Sequence, residues 1–152
     1  MDDIDRTILD CLQEDATMSK SEIAAKVHLS TTPCWRRVQK LKESGVIRKE
    51  VALLDREKLN LGLSAYVSVR TNQHNPEWAE RFATAIADIP EVVECYRMSG
   101  EVDYLLRIVI PDMKAYDAVY NQLIKAVEIY DVTTSFAMEE LKYSTKLPLD
   151  YV

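Results

Sequence analysis

The stretch that most constrains the fold of this chain is residues 19–45, which contains two helix starts in close succession. Ser19 and Glu22 have the spacing of a capping box, in which each side chain satisfies a free backbone donor of the other residue. A short apolar face follows at Ile23, Ala24 and Val27. This helical pattern of apolar residues ends at residues 28–30, and a second helix is predicted to begin directly after them.

The second helix of this stretch has two different faces. Ser30 or Thr31 can cap its start, Pro33 is tolerated in its first turn, and Gly45 suits its end. One face is a buried stripe at helical spacing, formed by Cys34, Val38 and Leu41. The other face and the helix start carry side chains that suit phosphates and base edges in a major groove. These candidate DNA-binding residues are Ser30, Thr31, Thr32, Trp35, Arg36, Arg37, Gln39 and Lys40.

A short helix, a tight turn and a second helix with a polar and basic outer face are typical of a helix-turn-helix. An ordinary solvated pair of helices is the alternative. The charge distribution favours DNA binding: the whole chain carries −6, but residues 31–49 hold six basic residues against one acidic residue. The positive charge is therefore concentrated at the candidate recognition helix, and the rest of the chain repels DNA.

Composition predicts a globular protein without a metal centre. The chain has 152 residues, of which 47% are hydrophobic and 29% charged, as expected for one domain or two small ones. Three scattered cysteines and two isolated histidines form no ligand set, so we expect neither a metal nor a cofactor. Residues 1–6 lack the apolar region of a signal peptide, and no apolar run approaches the roughly 20 residues of a membrane span. We therefore expect a cytoplasmic protein without a membrane partner.

The helix-turn-helix is predicted to be flanked by a helix on one side and a strand on the other. Asp2 or Asp3 can cap a first helix, whose apolar positions are Ile4, Ile8, Leu9 and Leu12. Residues 46–54 have β-branched residues at both ends and predict a strand, either a small wing or a linker. Residues 55–62 are polar and end at Gly62, where we place the domain boundary.

Beyond Gly62 the pattern predicts four strands and two helices in the order β-α-β-β-α-β. The strands are 63–71, 92–98, 102–110 and 131–143, and the helices begin at Asn75 and Asp112. The inward positions of the helices are Trp78, Phe82, Ile86 and Ile89, then Met113, Tyr116, Tyr120, Leu123 and Val127. This order is the ferredoxin-like split arrangement, with both helices on one face of an antiparallel sheet. We expect a second copy of the domain to cover the other face, giving at least a dimer.

The predicted fold class is therefore α+β. A winged helix-turn-helix domain at residues 1–48 is joined by a linker strand and hinge, residues 49–62, to a ferredoxin-like βαββαβ domain at residues 63–152. The first domain is predicted to bind DNA, and the second to bind a ligand and to form the oligomer.

Several short motifs in this order resemble the Lrp/AsnC, or feast/famine, transcriptional regulators over essentially the whole chain. The motifs are Asp5 with Ile8-Leu9, Leu29-Ser30, the run 36–41, Gly45-Val46-Ile47, Leu61-Gly62, the turn 100–104 and the run 133–136. The resemblance implies a homodimer that assembles into tetramers or octamers, binds double-stranded promoter DNA, and senses an amino acid between dimers. The run 32–37 is similar to one branch of the family, which favours a sulfur-containing or apolar amino acid.

The resemblance also implies the positions of the ligand-binding residues. They are Met98, Ser99, Gly100, Glu101 and Asp103 around the β2–β3 turn, with Thr134 and Ser135 from the last strand. A carboxylate at Asp103 suits an α-ammonium group, and backbone N–H groups of the turn suit a carboxylate. The alternative is that Gly100 only makes a hairpin turn, which Asp103 orients.

Three other functions remain possible at this point. Ferredoxin-like domains also form small dimeric enzymes, but no residue is placed as nucleophile or as a base partner for Glu101 and Asp103, so we expect no catalysis. The chain could be an architectural DNA-binding protein that responds to no ligand. It could also be a ligand-binding protein that uses residues 1–61 only for assembly, and salt dependence of DNA binding would separate this case.

Overall fold

A computed structural model describes all residues, 1–152. In chain order the helices are α1 (Asp3–Glu14), α2 (Lys20–Lys26), α3 (Thr31–Glu43), α4 (Pro76–Ala87) and α5 (Met113–Ala126). The strands are β1 (Leu63–Arg70), β2 (Val92–Arg97), β3 (Tyr104–Ile110) and β4 (Asp131–Phe136), and Glu57–Leu59 form one 3-10 turn. No helix is both long and apolar enough to cross a membrane.

The chain divides into two compact units, 1–53 together with 141–152, and 54–140. The predicted α+β class, a helix-turn-helix followed by a βαββαβ domain, is confirmed. The segment 141–152 packs with the N-terminal unit, although it follows the last strand in sequence.

The N-terminal unit is a three-helix bundle whose starts follow the predicted chemistry. Asp2 caps α1 in a capping box with Asp5, and Ser19 caps α2 in a second box with Glu22. Ser30 stands at the cap position of α3 but makes no side-chain cap hydrogen bond. The buried core joins all three helices and consists of Ile8, Leu9, Cys11, Ile23, Ala24, Val27, Cys34, Val38 and Leu41.

The C-terminal unit is a four-stranded antiparallel sheet in the order β2-β3-β1-β4, with α4 and α5 packed on one face. Asn75 and Asp112 cap α4 and α5 through their side chains, as expected. Trp78 and Phe82 of α4 stack with ring centroids 5.0 Å apart, over the half-buried ring of Tyr104. The β1–β3 and β1–β4 pairings have no register shift, and one irregularity lies at Val92/Glu94 on β2.

Three predictions about these elements are wrong. Residues 46–54 form no strand, because a strand requires a neighbouring backbone and the single chain offers them none. The last strand ends at Phe136 rather than at residue 143. Met113 is 55% exposed, whereas the unpredicted Val119 is buried, because the inward stripe of α5 begins one turn later than expected.

The face of the sheet opposite the helices mixes aromatic, aliphatic and charged side chains. Alternation along the strands places Tyr66, Tyr96 and Leu105 on this face, and the two tyrosines are about half exposed. Arg107 lies across from Glu94 with an N–O distance of 2.7 Å. This face is therefore less apolar than predicted, but it still exposes two large aromatic rings.

Candidate DNA-binding surface and effector site

The candidate recognition helix, α3, buries one face and exposes the other to solvent. Cys34, Val38 and Leu41 are buried in the core of the N-terminal unit, as predicted. The exposed positions include Thr31, Thr32, Arg36 and Lys40, while Gln39 is half-buried. Neither Arg36 nor Lys40 takes part in an ion pair, so both charges are available to a polyanion.

The turn between α2 and α3 depends on a residue that the sequence reasoning did not single out. His28 adopts a left-handed backbone conformation with φ of 54°, which few non-glycine residues do. Its N–H donates to Ala25 O at 3.2 Å, and the Leu29 N–H donates to Ala24 O at 3.0 Å. These two hydrogen bonds therefore terminate α2 and let the chain change direction before α3 begins.

Arg37 differs from its neighbour Arg36 because its side chain is already bound. Its Nη1 lies 2.7 Å from an Asp2 oxygen and 2.8 Å from an Asp5 oxygen, which joins α3 to the start of α1. Each carboxylate uses its other oxygen in the capping box of α1. The backbone N–H of Asp5 lowers the pKa of Asp2 most, and Arg37 lowers it further. These contacts give Arg37 a role inside the domain.

Trp35 is half-buried against the core and supports two lysines. The ammonium of Lys20 lies 3.9 Å from the ring centroid, and that of Lys42 lies 5.6 Å away. The face of an aromatic ring attracts cations at such distances. Lys42 also pairs with Glu50, with an N–O distance of 2.9 Å. Trp35 therefore orders basic groups beside the exposed face of α3, and Lys20 is a candidate DNA contact that the sequence analysis missed.

The turn between β2 and β3 is held by three hydrogen bonds around Asp103. The Met98 N–H donates to Asp103 O at 2.8 Å, and the Asp103 N–H donates to Val69 O at 3.1 Å. The side chain of Asp103 accepts the Thr71 N–H on Oδ2 at 2.8 Å. Gly100 has φ of 109°, and nothing lies within 4 Å of the position of an added Cβ, so its backbone conformation alone requires glycine.

A cavity of about 280 Å³ adjoins this turn. Met98 and Asp103 line it together with the end of β1, the start of α4 and the side chains of Arg97 and His74. Ser99, Gly100 and Glu101 are exposed on the turn itself. A larger, open depression of about 540 Å³ on α4 and α5 contains none of the predicted ligand residues.

The two predicted ligand residues of β4 do not lie near this turn within one chain. Thr134 points to the helix side, where its hydroxyl is 2.5 Å from that of Tyr116. Ser135 is exposed on the opposite face, across from Tyr66. Thr134 and Ser135 therefore lie on one outer strand of the sheet, whereas the turn begins at β2, the other outer strand.

No group of three or more histidine, cysteine, aspartate or glutamate side chains lies close together. Burial raises the pKa of the Cys34 thiol, and it also raises that of Cys95. Both side chains therefore favour the neutral thiol, which is a poor nucleophile and a poor metal ligand.

Fold and sites together define a two-part DNA-binding regulator with a separate ligand-binding unit. Residues 1–48 match the model for winged helix-turn-helix DNA-binding domains, and residues 64–147 match the Lrp/AsnC ligand binding domain. The chain belongs to the Lrp/AsnC family of transcriptional regulators. It is a DNA-binding transcriptional regulator and not an enzyme.

Three relatives show how far the similarity extends. The DNA-binding transcriptional activator DecR of Escherichia coli K12 is 48% identical over 151 residues, which are 99% of each chain. The crystal structure of an AsnC family transcriptional regulator from Agrobacterium tumefaciens is 58% identical, with a TM-score of 0.96 and 99% of each chain covered. A regulator from Neisseria meningitidis in complex with L-Met is 36% identical, with a TM-score of 0.94, covering 99% of this chain and 98% of that one.

Proposed function

We propose that the exposed face of α3 binds promoter DNA through Arg36, Lys40 and the threonines at its start. The observation that carries this proposal is the contrast between neighbouring arginines: Arg37 is bound to α1, while Arg36 has no ion-pair partner. Thr31 and Thr32 lie at the helix start, where side chains of a recognition helix reach base edges. The basic groups supply phosphate contacts on a chain whose net charge is −6.

Arg36→Ala tests this surface. The expected result is weaker binding to promoter DNA and a weaker dependence on salt, because each phosphate that is no longer neutralised removes about 0.9 from the logarithmic salt slope. Arg81→Ala is the matched control, since Arg81 is an exposed arginine on α4 of the other unit. Equal DNA binding by the parent and by Arg36→Ala would show that the recognition face is assigned wrongly.

We infer that the ligand is an amino acid and that it binds at the β2–β3 turn and the adjoining cavity. Oδ2 of Asp103 is engaged by Thr71, so Oδ1 is the oxygen available to an α-ammonium group. Arg97 supplies positive charge for a carboxylate, and His74 adds a ring nitrogen to the cavity lining. The bound L-Met of the Neisseria regulator supports a sulfur-containing or apolar amino acid.

A thermal-shift screen against the common amino acids tests the effector. We expect stabilisation by one or a few of them, lost in Asp103→Asn, because asparagine keeps an oxygen for the Thr71 N–H but removes the negative charge. Asp103→Asn tests the charge alone, whereas Asp103→Ala also removes the hydrogen bond that holds the turn. Stabilisation by no amino acid would favour an architectural DNA-binding protein instead.

We further propose that two copies pair through the open face of the sheet and that dimers assemble further around the effector. Tyr66 and Tyr96 are large exposed rings on that face, and a second copy is the partner able to cover it by symmetry. The separation of the β2–β3 turn from Thr134 and Ser135 supports a ligand site shared between copies. Effector binding would then change assembly or the spacing of recognition helices, and thereby promoter binding.

Sedimentation of Tyr66→Asp tests the pairing. The parent should sediment as a multiple of 17.4 kDa, and the variant should form smaller species because the pairing would bury an uncompensated charge. An unchanged assembly would place the interface elsewhere.

A promoter-binding regulator must reach the chromosome, so we place its activity in the cytoplasm.

A further inference from the structure

The C-terminal segment 141–152 lies against one face of α1. Arg6, Asp10 and Gln13 follow each other at helical spacing on that face, and each contacts the segment. Arg6 donates to the carbonyl oxygen of Val152, and Asp10 pairs with Lys146 at 3.3 Å. The docking is therefore made along a stripe of the helix, not at one point.

The Gln13 side chain makes the most specific of these contacts. Its Nε2 donates to Leu147 O at 3.1 Å, and its Oε1 accepts the Leu147 N–H at 2.7 Å. One carboxamide thus satisfies both backbone groups of one residue, as a neighbouring strand would do. The Leu147 side chain is 69% exposed, so this residue is held by its backbone and not by burial.

Two residues further on, Leu149 adds an apolar contact to the polar ones. It is half-buried and packs against the core of the N-terminal unit. That core has nine buried residues, few of which are large, and small units are marginal by themselves. The segment therefore covers part of a core that would otherwise be more exposed to water.

From α1 the contacts continue to the recognition helix. The start of α1 carries Asp2 and Asp5, and both bind Arg37 of α3. At its other end the segment is continuous with β4, which ends at Phe136 only a few residues before Leu141. The chain thus connects β4 to α1 and α3 by a route that is separate from the linker at residues 49–62.

We propose that residues 141–152 are a strap that completes the DNA-binding unit and that its docking on α1 is needed for full DNA affinity. Gln13 is its positioning residue. The strap's contacts lie within the N-terminal unit, on the helix whose start binds Arg37 of α3. This inference rests on the proposed DNA-binding function of α3, and the experiment separates the two.

Gln13→Ala tests the strap with two measurements. The first is hydrogen exchange at the Leu147 amide, whose protection should fall about tenfold or more when the two hydrogen bonds to Gln13 are removed. The second is the affinity for promoter DNA, which should fall several-fold. Gln122→Ala is the matched control: Gln122 is an exposed glutamine on α5 and should leave both values unchanged.

A chain ending at Glu140 provides the second variant. It should show the same loss of DNA affinity, and adding Gln13→Ala to it should cause no further loss, because the partner of Gln13 is then gone. If the shortened chain does not fold, the single variant still decides the question.

Two results would contradict the proposal that residues 141–152 are a docked strap needed for full DNA affinity. One is a Leu147 amide that exchanges freely in the parent, which means that the segment is not docked. The other is full DNA affinity in Gln13→Ala although Leu147 has lost its protection. In either case, weaker DNA binding by Arg36→Ala would still support the proposal that α3 binds DNA. If Arg36→Ala binds DNA as well as the parent, that proposal is wrong. The exchange rate of the Leu147 amide does not depend on this second result.

Discussion

Replacing Arg37 with alanine should affect the stability of the N-terminal unit and not the electrostatics of DNA binding. Arg37 and Arg36 are consecutive residues of α3, so the two alanine variants have the same cost in helix propensity. Arg37 is bound to Asp2 and Asp5, whereas Arg36 faces solvent without an ion pair. The pair of variants therefore separates a structural arginine from a DNA-contacting one.

The expected change in the salt dependence of DNA binding follows from the number of phosphates that each variant no longer neutralises. In a dimer with two recognition helices, Arg36→Ala leaves two phosphates without their arginine and should reduce the logarithmic salt slope by about 1.8. Between 50 and 200 mM salt, the affinity ratio of parent to variant should then change by about twelvefold. Arg37→Ala should leave the slope of the parent, because its charge is neutralised inside the unit by two carboxylates.

The assays are fluorescence anisotropy with promoter DNA at several salt concentrations, and thermal unfolding of each variant. Arg37→Ala should melt at a lower temperature, since it leaves two carboxylates side by side without their cation. Arg36→Ala should have the same melting temperature as the parent. A salt slope that falls in Arg37→Ala as much as in Arg36→Ala would refute the reasoning, because Arg37 would then leave α1 when DNA binds.

Three further predictions concern single contacts. Gly100→Ala should lower the free energy of unfolding of the C-terminal unit by about 1–3 kcal/mol in denaturant titrations, since φ of 109° is strained for any other residue. Trp78→Phe should cost about 1–3 kcal/mol in the same assay, because Glu128 O loses the indole donor at 2.7 Å. Asp2→Asn should be less stable than the parent at pH 6 but equal to it in strong acid. The pKa of Asp2 lies below its ordinary 3.8 in the folded state, so its contribution is present above that value and is lost as the pH falls through the lowered pKa.

The features that the sequence predicted best are those decided within a few residues. The capping box of Ser19 and Glu22 and the cap at Asp112 depend on side chains and backbone three residues apart. The buried stripe of α3 depends only on helical spacing. Such local features can be derived from the printed sequence because no distant partner is needed to form them.

The features that the sequence did not reveal depend on partners far away in the chain. The pairing of Arg37 joins residues 35 and 32 positions apart, so nothing local distinguishes it from Arg36. The docking of Leu147 on Gln13 spans 134 positions. For the effector site, the motif indicated which residues surround the β2–β3 turn, but only the sheet order shows that Thr134 and Ser135 lie on the other outer strand.

The failed strand prediction at residues 46–54 and the exposed rings of the sheet have the same explanation in the proposed dimer. Val51, Leu53 and Leu54 are each more than half exposed, which is unfavourable for a segment that forms no strand. Tyr66 and Tyr96 are exposed on the open face of the sheet. A strand-forming sequence needs a neighbouring strand, and an aromatic sheet face needs a covering surface. In the proposed dimer, a second copy of this chain would supply both.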